Sequence, residues 1–179
     1  MSEGRIAARY AKPLLNLAEE KSVLEEVKQD MDSFASLCKE NRDFSLMLKS
    51  PIIPHKRKAE ILKKIFEGKF SDLTLQAFDL ITRKNREYLL VAIADEFLAL
   101  YNLRKGIANV TVTTTFQLES DLRESFKKLA TKVTGKSPNL EEEIDPDILG
   151  GYVLKFGDKQ IDDSVRGRLN DLKLKFNKK

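Results

Sequence analysis

Apolar residues recur every three or four positions from Ile6 to Tyr101, the spacing of helices with one buried face. Ile6, Tyr10, Leu14 and Leu17 make one stripe, and Ala7, Ala11, Leu15 and Ala18 make a second beside it. The first helix is therefore apolar over more of its circumference than one core contact needs. Pro13 lies inside the pattern. It removes a backbone donor and predicts a kink, unless the helix starts near Lys12, where the first turn tolerates proline. Ser22-Val23-Leu24-Glu25 has the form of a capping box and predicts a second helix that carries Leu24, Val27, Met31, Phe34 and Cys38. A short third helix holds Phe44, Met47 and Leu48 and stops at Ser50-Pro51-Ile52-Ile53-Pro54, because residues before proline avoid the helical region. Ala59, Leu62, Ile65 and Phe66 mark a fourth, ending at Gly68. Ser71-Asp72 caps a fifth, with Leu73, Ala77, Leu80 and Lys84 on one side and Phe78 and Ile81 on another. The sixth runs from about Glu87 through Leu90, Ile93, Phe97 and Tyr101 to Gly106.

The pattern changes after Gly106. Ala108–Thr114 is β-branched and alternating and predicts a strand. Leu122, Phe126, Leu129 and Val133 make a seventh helix, broken by Gly135-Lys136-Ser137-Pro138, and a second strand follows over Leu140–Ile144. Tyr152, Leu154 and Phe156 alternate with Val153 and Lys155, and Gly157-Asp158 reads as a type II′ hairpin turn leading to Ile161. Asp162, Asp163 and Ser164 offer N-caps for a last helix with Val165, Leu169, Leu172 and Phe176 at helical spacing. Lys173, Lys175, Lys178 and Lys179 crowd its far end, where cations suit the helix dipole. The expected fold is α+β: an antiparallel six-helix bundle over residues 1–105, then a small α/β domain over 106–179.

Composition narrows the function. Basic residues number 32 and acidic ones 28, interleaved, for a net charge of +4. Lys56-Arg57-Lys58 and Lys63-Lys64 permit an alternative reading as a small basic nucleic-acid-binding protein, but no aromatic residues interleave there to stack bases. The run Leu89–Ala94 is far too short to span a bilayer, and the N-terminus has no apolar signal region, so a cytoplasmic setting is expected. Cys38 is the sole cysteine and His55 the sole histidine, so neither a disulfide nor a nitrogen–sulfur metal cage is expected. A Ser-His-Asp triad would need His55, which sits in a basic helix start with nothing to orient its ring. Glu141, Glu142 and Glu143 lie on a strand, where alternate residues face opposite ways. Gly150-Gly151 opens a strand, whereas a phosphate loop follows a strand and opens a helix. The pair reads instead as a backbone crossing that excludes a Cβ. No catalytic residue, metal or cofactor is expected.

Several segments together carry a resemblance: Arg9-Tyr10-Ala11-Lys12 with Leu14, Leu17 and Ala18; Leu48-Lys49-Ser50-Pro51-Ile52 with a downstream lysine; Lys84-Asn85-Arg86-Glu87; and the stretch from Asp145-Pro146 through Gly150-Gly151 to Asp162-Asp163-Ser164-Val165-Arg166-Gly167-Arg168-Leu169. In these the chain resembles, nearly end to end, the delta subunit of the F-type ATP synthase, the oligomycin-sensitivity-conferring protein of mitochondria. Pro13 and Asp163 depart from the family pattern, which commonly has a small helix former and a glycine there.

The resemblance implies a non-catalytic stator subunit. It implies that the helical domain binds amphipathic N-terminal segments of the alpha subunits at the top of the catalytic head. The C-terminal domain would bind the b-type subunits of the peripheral stalk. It further implies one copy per complex, a monomer in isolation, no nucleic acid, and attachment to the cytoplasmic face of the bacterial inner membrane only through the complex. The extra apolar width of the first helix suits such a partner: Tyr10, Leu14 and Leu17 would face Ala77, Leu80 and Lys84 across a groove. Gly150, Gly151, Asp162, Ser164, Val165, Arg166 and Leu169 are the family-like residues with structural roles.

Overall fold

Six α-helices precede the first strand: α1 Glu3–Glu20, α2 Leu24–Glu40, α3 Arg42–Lys49, α4 His55–Phe66, α5 Asp72–Arg83 and α6 Leu90–Lys105. After them come β1 Ile107–Thr114, α7 Ser120–Thr134, β2 Ser137–Ile144, β3 Tyr152–Phe156, β4 Lys159–Asp162 and α8 Val165–Asn177. The fold is α+β, mostly helical with one small sheet. The computed structural model describes residues 3–177; Lys178, Lys179 and the side chain of Lys175 lie outside the described residues. The chain divides into two compact units, Met1–Tyr101 and Asn102–Lys179, and the boundary falls within α6.

In the first unit Phe34 of α2 is fully buried among rings from α3, α4 and α5. Its centroid lies 6.2 Å from Phe44, 5.7 Å from Phe66 and 4.8 Å from Phe78, each pair edge-to-face. Such pairs contribute about 0.5–1.5 kcal/mol each beyond area burial, so one residue ties three helices together. Cys38 joins this core, where burial pushes its thiol up to about 11, helped by the nearby charge of Asp95. It is a core filler and unreactive at neutral pH. Asp30 of α2 is also buried. Its Oδ2 accepts from the Ser71 amide at 2.9 Å, the Ser71 hydroxyl at 2.7 Å and the Thr74 hydroxyl at 2.8 Å. A carboxylate from α2 thus reinforces the Ser71 cap of α5, where the helix dipole favours it.

The capping box expected at Ser22 does not form. Ser22 has φ +58°, its amide bonds Glu19 O, and the next amide, Val23, bonds Ala18 O. This is a left-handed C-terminal closure of α1, and it competes successfully for the residue that would have capped α2. The same closure ends α5: Asn85 has φ +55°, with Asn85 N–H on Thr82 O and Arg86 N–H on Ile81 O. Asparagine tolerates that conformation better than most residues. Pro13 sits within α1, which continues through it.

A second departure from the sequence reading is Lys58. It belongs to a basic run but is 2% exposed. Its Nζ donates to Leu48 O at 2.8 Å and to Glu87 Oε1 at 2.8 Å. The ion pair links α4 to the end of α3 and to the turn after α5. Breaking it would leave a buried charge without its partner, which costs about 3–5 kcal/mol. Lys58→Ala is therefore expected to destabilise the chain by that amount in urea titrations. Lys58→Met with Glu87→Leu is expected to cost far less.

In the second unit the strand order is β2-β1-β3-β4. β1 and β2 are parallel, with Ile107 opposite Ser137 and Thr114 opposite Ile144, and α7 is their crossover. β2 begins at Ser137, three residues earlier than expected; Pro138 is accommodated because β2 is an edge strand. β1 pairs antiparallel with β3, Val112 opposite Leu154, and the β3–β4 hairpin turns at Gly157, φ +55°. Val110, Val112 and Leu154 are fully buried with Ala130 of α7. Leu122 and Val133, expected on the inner stripe of α7, are each 40% exposed. The contact is made through Ala130, which lets helix and sheet approach closely, with Phe126 and Leu129 filling its flanks.

Gly150 and Gly151 form the expected backbone crossing. Gly151 has φ +78°, and a Cβ there would collide with the Asp163 carbonyl and meet Ser164 Cα at 3.0 Å. Asp163 N–H bonds Tyr152 O and Val165 N–H bonds Gly150 O, locking the start of α8 to the start of β3. Ser164 is buried and its Oγ accepts from Gly167 N–H at 2.9 Å, so it caps α8. Hydrogen bonding from the Ser164 side chain, and then from its N–H at 3.0 Å to Oδ1, holds the Asp162 carboxyl below the usual range. Asp163 keeps a negative φ and pairs with Arg168. Gly151→Ala combines left-handed strain with a backbone collision. We expect a loss of at least about 2 kcal/mol, seen as a lower thermal midpoint and earlier proteolysis of the C-terminal unit.

Candidate functional site

A groove of about 390 Å³ lies between α1 and α5. Its α1 wall is Arg9, Tyr10, Pro13, Leu14 and Leu17, and its α5 wall is Leu73, Gln76, Ala77, Leu80 and Ile81. Each wall contains an i, i+3, i+4, i+7 set: Tyr10, Pro13, Leu14 and Leu17 on α1, and Leu73, Gln76, Ala77 and Leu80 on α5. That spacing aligns side chains on one helix face. The other α1 stripe, Ala7, Ala11, Leu15 and Ala18, is the core stripe. Leu17 and Leu80 remain 39% and 53% exposed, so the groove offers apolar surface that the chain itself leaves uncovered.

Five of the six expected groove residues, Tyr10, Leu14, Leu17, Ala77 and Leu80, line it. Lys84 does not. It is the exposed C-cap of α5, with its amide on the carbonyls of Leu80 and Ile81. Arg9, Pro13, Leu73, Gln76 and Ile81 were missed. Pro13 and Gln76 fall on the same helical repeat as the expected residues, so their positions were readable. Pro13 also has a local consequence. It offers no N–H to the Arg9 carbonyl, so the α1 wall carries a main-chain acceptor without its usual helix partner.

Tyr10 is fixed by Arg86, which sequence reasoning had placed only in a motif. Arg86 Nη1 donates to Tyr10 Oη at 2.9 Å, and the guanidinium carbon lies 5.7 Å from the ring centroid. The left-handed turn at Asn85 and the buried Glu87 set Arg86 between them, so Lys84-Asn85-Arg86-Glu87 has a conformational explanation at each of its last three positions.

A second groove, about 410 Å³, lies between α4 and α5. Glu60, Lys63, Asp79 and Arg83 edge it, and Asp79 and Arg83 pair with one another at 2.8 Å. Its charged rim suits a partner helix less well than the α1–α5 groove, whose only charged lining residue is Arg9. The basic face considered for nucleic acid is weakened as well. Lys58 is buried with Glu87, and Lys63 lies 3.6 Å from Glu67.

In the second unit α8 turns apolar side chains outward. Leu169 is 54%, Leu172 49% and Phe176 77% exposed. Of the acidic triplet on β2, Glu142 pairs with Arg123, whose hydrogen bond holds the carboxyl below its usual range, while Glu141 and Glu143 are exposed. Among the described residues, no group of three His, Cys, Asp or Glu side chains is placed to hold a metal ion. Likewise, no helix among them is long and apolar enough to cross a membrane.

Residues 6–176 match the family model described as ATP synthase delta (OSCP) subunit. The chain is 42% identical to the ATP synthase subunit delta of Cytophaga hutchinsonii, covering 98% of this chain and 96% of that one. It is 38% identical to that of Amoebophilus asiaticus, over 96% and 94% of the two chains. A chain in the mitochondrial ATP synthase hexamer of Toxoplasma gondii shares the fold, with a TM-score of 0.77 at 24% identity over 98% of this chain and 97% of that one. A match across almost the whole length, at identities well above 30%, leaves one conclusion: the chain belongs to the ATP synthase delta (OSCP) subunit family.

Proposed function

We propose that the chain ties the catalytic head of an F-type ATP synthase to its peripheral stalk by gripping one helical partner with each of its two units. As a member of its family the chain is a stator component of the synthase and not the catalytic subunit. The six helices of residues 1–105, packed as an antiparallel bundle, take an N-terminal segment of an alpha subunit in the α1–α5 groove. The C-terminal unit, residues 106–179, takes the b-type stalk subunits. One copy serves each complex, and the chain reaches the cytoplasmic face of the bacterial inner membrane only through that complex. The observation that carries this reading is the groove: two helices each line a common space with an i, i+3, i+4, i+7 face that is apolar except at Gln76. An amphipathic helix is the occupant whose own anchors repeat with that period.

Magnitudes favour a moderate grip. Three or four anchors contribute roughly 1.5–3 kcal/mol each, against an association cost of about 4–15 kcal/mol. We expect Leu80→Asp to weaken binding of a synthetic alpha N-terminal peptide at least about tenfold, since it places a charge against an apolar anchor. Because Leu80 is already half exposed, the thermal midpoint should hardly move. Peptide binding unchanged by Leu80→Asp would place the occupant elsewhere.

On the stalk side, the exposed Leu172 and Phe176 of α8 support an apolar contact. Leu172→Asp with Phe176→Asp is expected to abolish co-purification with the b-subunit soluble domain and to leave alpha-peptide affinity unchanged. Retained stalk binding by that variant would remove α8 from the interface.

A further inference from the structure

We infer that the α1–α5 groove is polarised by Arg86, and that its occupant is an amphipathic helix whose polar flank places a carboxylate against the Tyr10–Arg86 pair. The inference rests on the groove reading above and adds an electrostatic requirement to it.

Among the described residues, the groove lining holds a cation and no carboxylate. Arg9 is the one charged residue in its lining. Arg86 sits on Tyr10 at the rim, exposed, and among the described residues has the Tyr10 hydroxyl and ring as partners and no carboxylate. Asp79 of α5 edges the other groove and is paired with Arg83. A guanidinium carries five N–H donors in a fixed plane. One is spent on Tyr10, so the rest can meet a carboxylate while the plane stays on the ring. An aromatic support of this kind pre-orders the guanidinium and lowers the entropy lost when a carboxylate docks.

The backbone makes this placement durable. Arg86 N–H closes the end of α5 on Ile81 O, and Leu89 N–H bonds Arg86 O. The following side chain, Glu87, is buried against Lys58. Arg86 is thus held between two fixed points, and a lysine in its place would keep the charge but lose the planar seat on Tyr10. Apolar anchors along Leu14, Leu17, Ala77 and Leu80 set the depth of the bound helix. A single charged end then sets which way it runs, since the reversed helix would leave its carboxylate away from Arg86.

The test uses the full chain and a labelled peptide of roughly 25 residues, about seven helical turns, taken from the N-terminus of the alpha subunit encoded in the same genome. Binding is followed by fluorescence anisotropy at about 50 and about 300 mM salt. The expected result is a peptide affinity that falls at least about fivefold at the higher salt for the unmodified chain. Arg86→Glu should weaken binding about tenfold or more at low salt and flatten the salt dependence. Replacing the peptide's acidic residues one at a time by their amides should find one whose loss is felt by the unmodified chain and not by Arg86→Glu. Changing that residue to lysine should restore binding to Arg86→Glu. The salt series and the amide scan on the unmodified chain do not depend on how the variant folds, and rescue by the lysine peptide shows that the variant has folded. Salt-insensitive binding, Arg86→Glu affinity within about twofold of the unmodified chain, or tight binding of a peptide stripped of every carboxylate overturns the inference. If Leu80→Asp blocks the peptide while Arg86→Glu does not, the groove reading stands and this inference alone falls. If the unmodified chain does not bind the peptide, both fall.

Discussion

Lys58 and Glu87 are the constraint on which the first unit turns. Taking both charges out of water is costly, and a pair of this kind is weak evidence for net stability. What it supplies is position. The ammonium has the Leu48 carbonyl on one side and Glu87 Oε1 on the other, so it fixes the end of α3, the first turns of α4 and the turn after α5 relative to one another. Among the described residues Glu87 Oε2 is buried with no hydrogen-bond partner of its own, which makes the site intolerant of any shift that would weaken its one strong contact. From Glu87 the constraint passes along the chain to Arg86, and from Arg86 across space to Tyr10 and the groove wall. A buried ion pair and an exposed apolar groove are thereby joined through one residue's backbone.

The same chain of contacts shows what a sequence can and cannot say. The inner stripes of α2 and α6 were legible because local periodicity decides them: Val27, Met31, Phe34 and Cys38, and Leu90, Ile93, Phe97 and Tyr101, are buried as spaced. The groove was legible for the same reason, since an apolar face wider than the core needs shows up as surplus at fixed spacing. Lys58 was not, because its burial depends on Leu48 and Glu87, ten and twenty-nine residues away, and nothing in a run of cations marks the one that turns inward. Ser22 failed differently. It satisfies the local pattern for an N-cap, but the preceding helix claims it for its own closure, and adjacent helix ends competing for one residue cannot be resolved from either helix alone. Leu122 and Val133 failed because the small Ala130 admits a closer approach of helix to sheet than the large residues would set.

The second unit solves a separate problem, that of holding a helix without burying its apolar side. α8 is fixed at its first turn: Ser164 caps it, Val165 N–H bonds Gly150 O, and the missing Cβ of Gly151 lets Asp163 and Ser164 close on the strand. Arg166 adds a longer contact to the Asp147 carbonyl at 3.4 Å. These contacts are polar or main-chain, so none of them consumes Leu169, Leu172 or Phe176. In sequence the glycine pair reads as a backbone crossing and Asp162–Ser164 as caps for the last helix. Their geometry makes them an attachment point, and the attachment leaves the rest of the helix free to present an apolar face.

A stator has to resist torque, and neither surface on this chain is large. A groove of about 390 Å³ and a half-exposed helix face each support a modest affinity once the cost of association is subtracted. On the proposed reading both partners belong to one complex, and that changes the arithmetic. Once either contact forms, the second partner is present at an effective concentration set by tethering, which for short connections reaches the millimolar range and raises overall retention about 10²–10⁴-fold. Load would then be borne by two replaceable contacts instead of one very tight one. A groove with a defined polarity has a place in such an arrangement. Under load, a helix held only by apolar anchors can slip by one turn to an equivalent register, because the pattern nearly repeats. A single ion pair on an ordered guanidinium costs little to form, yet it makes one register unlike its neighbours.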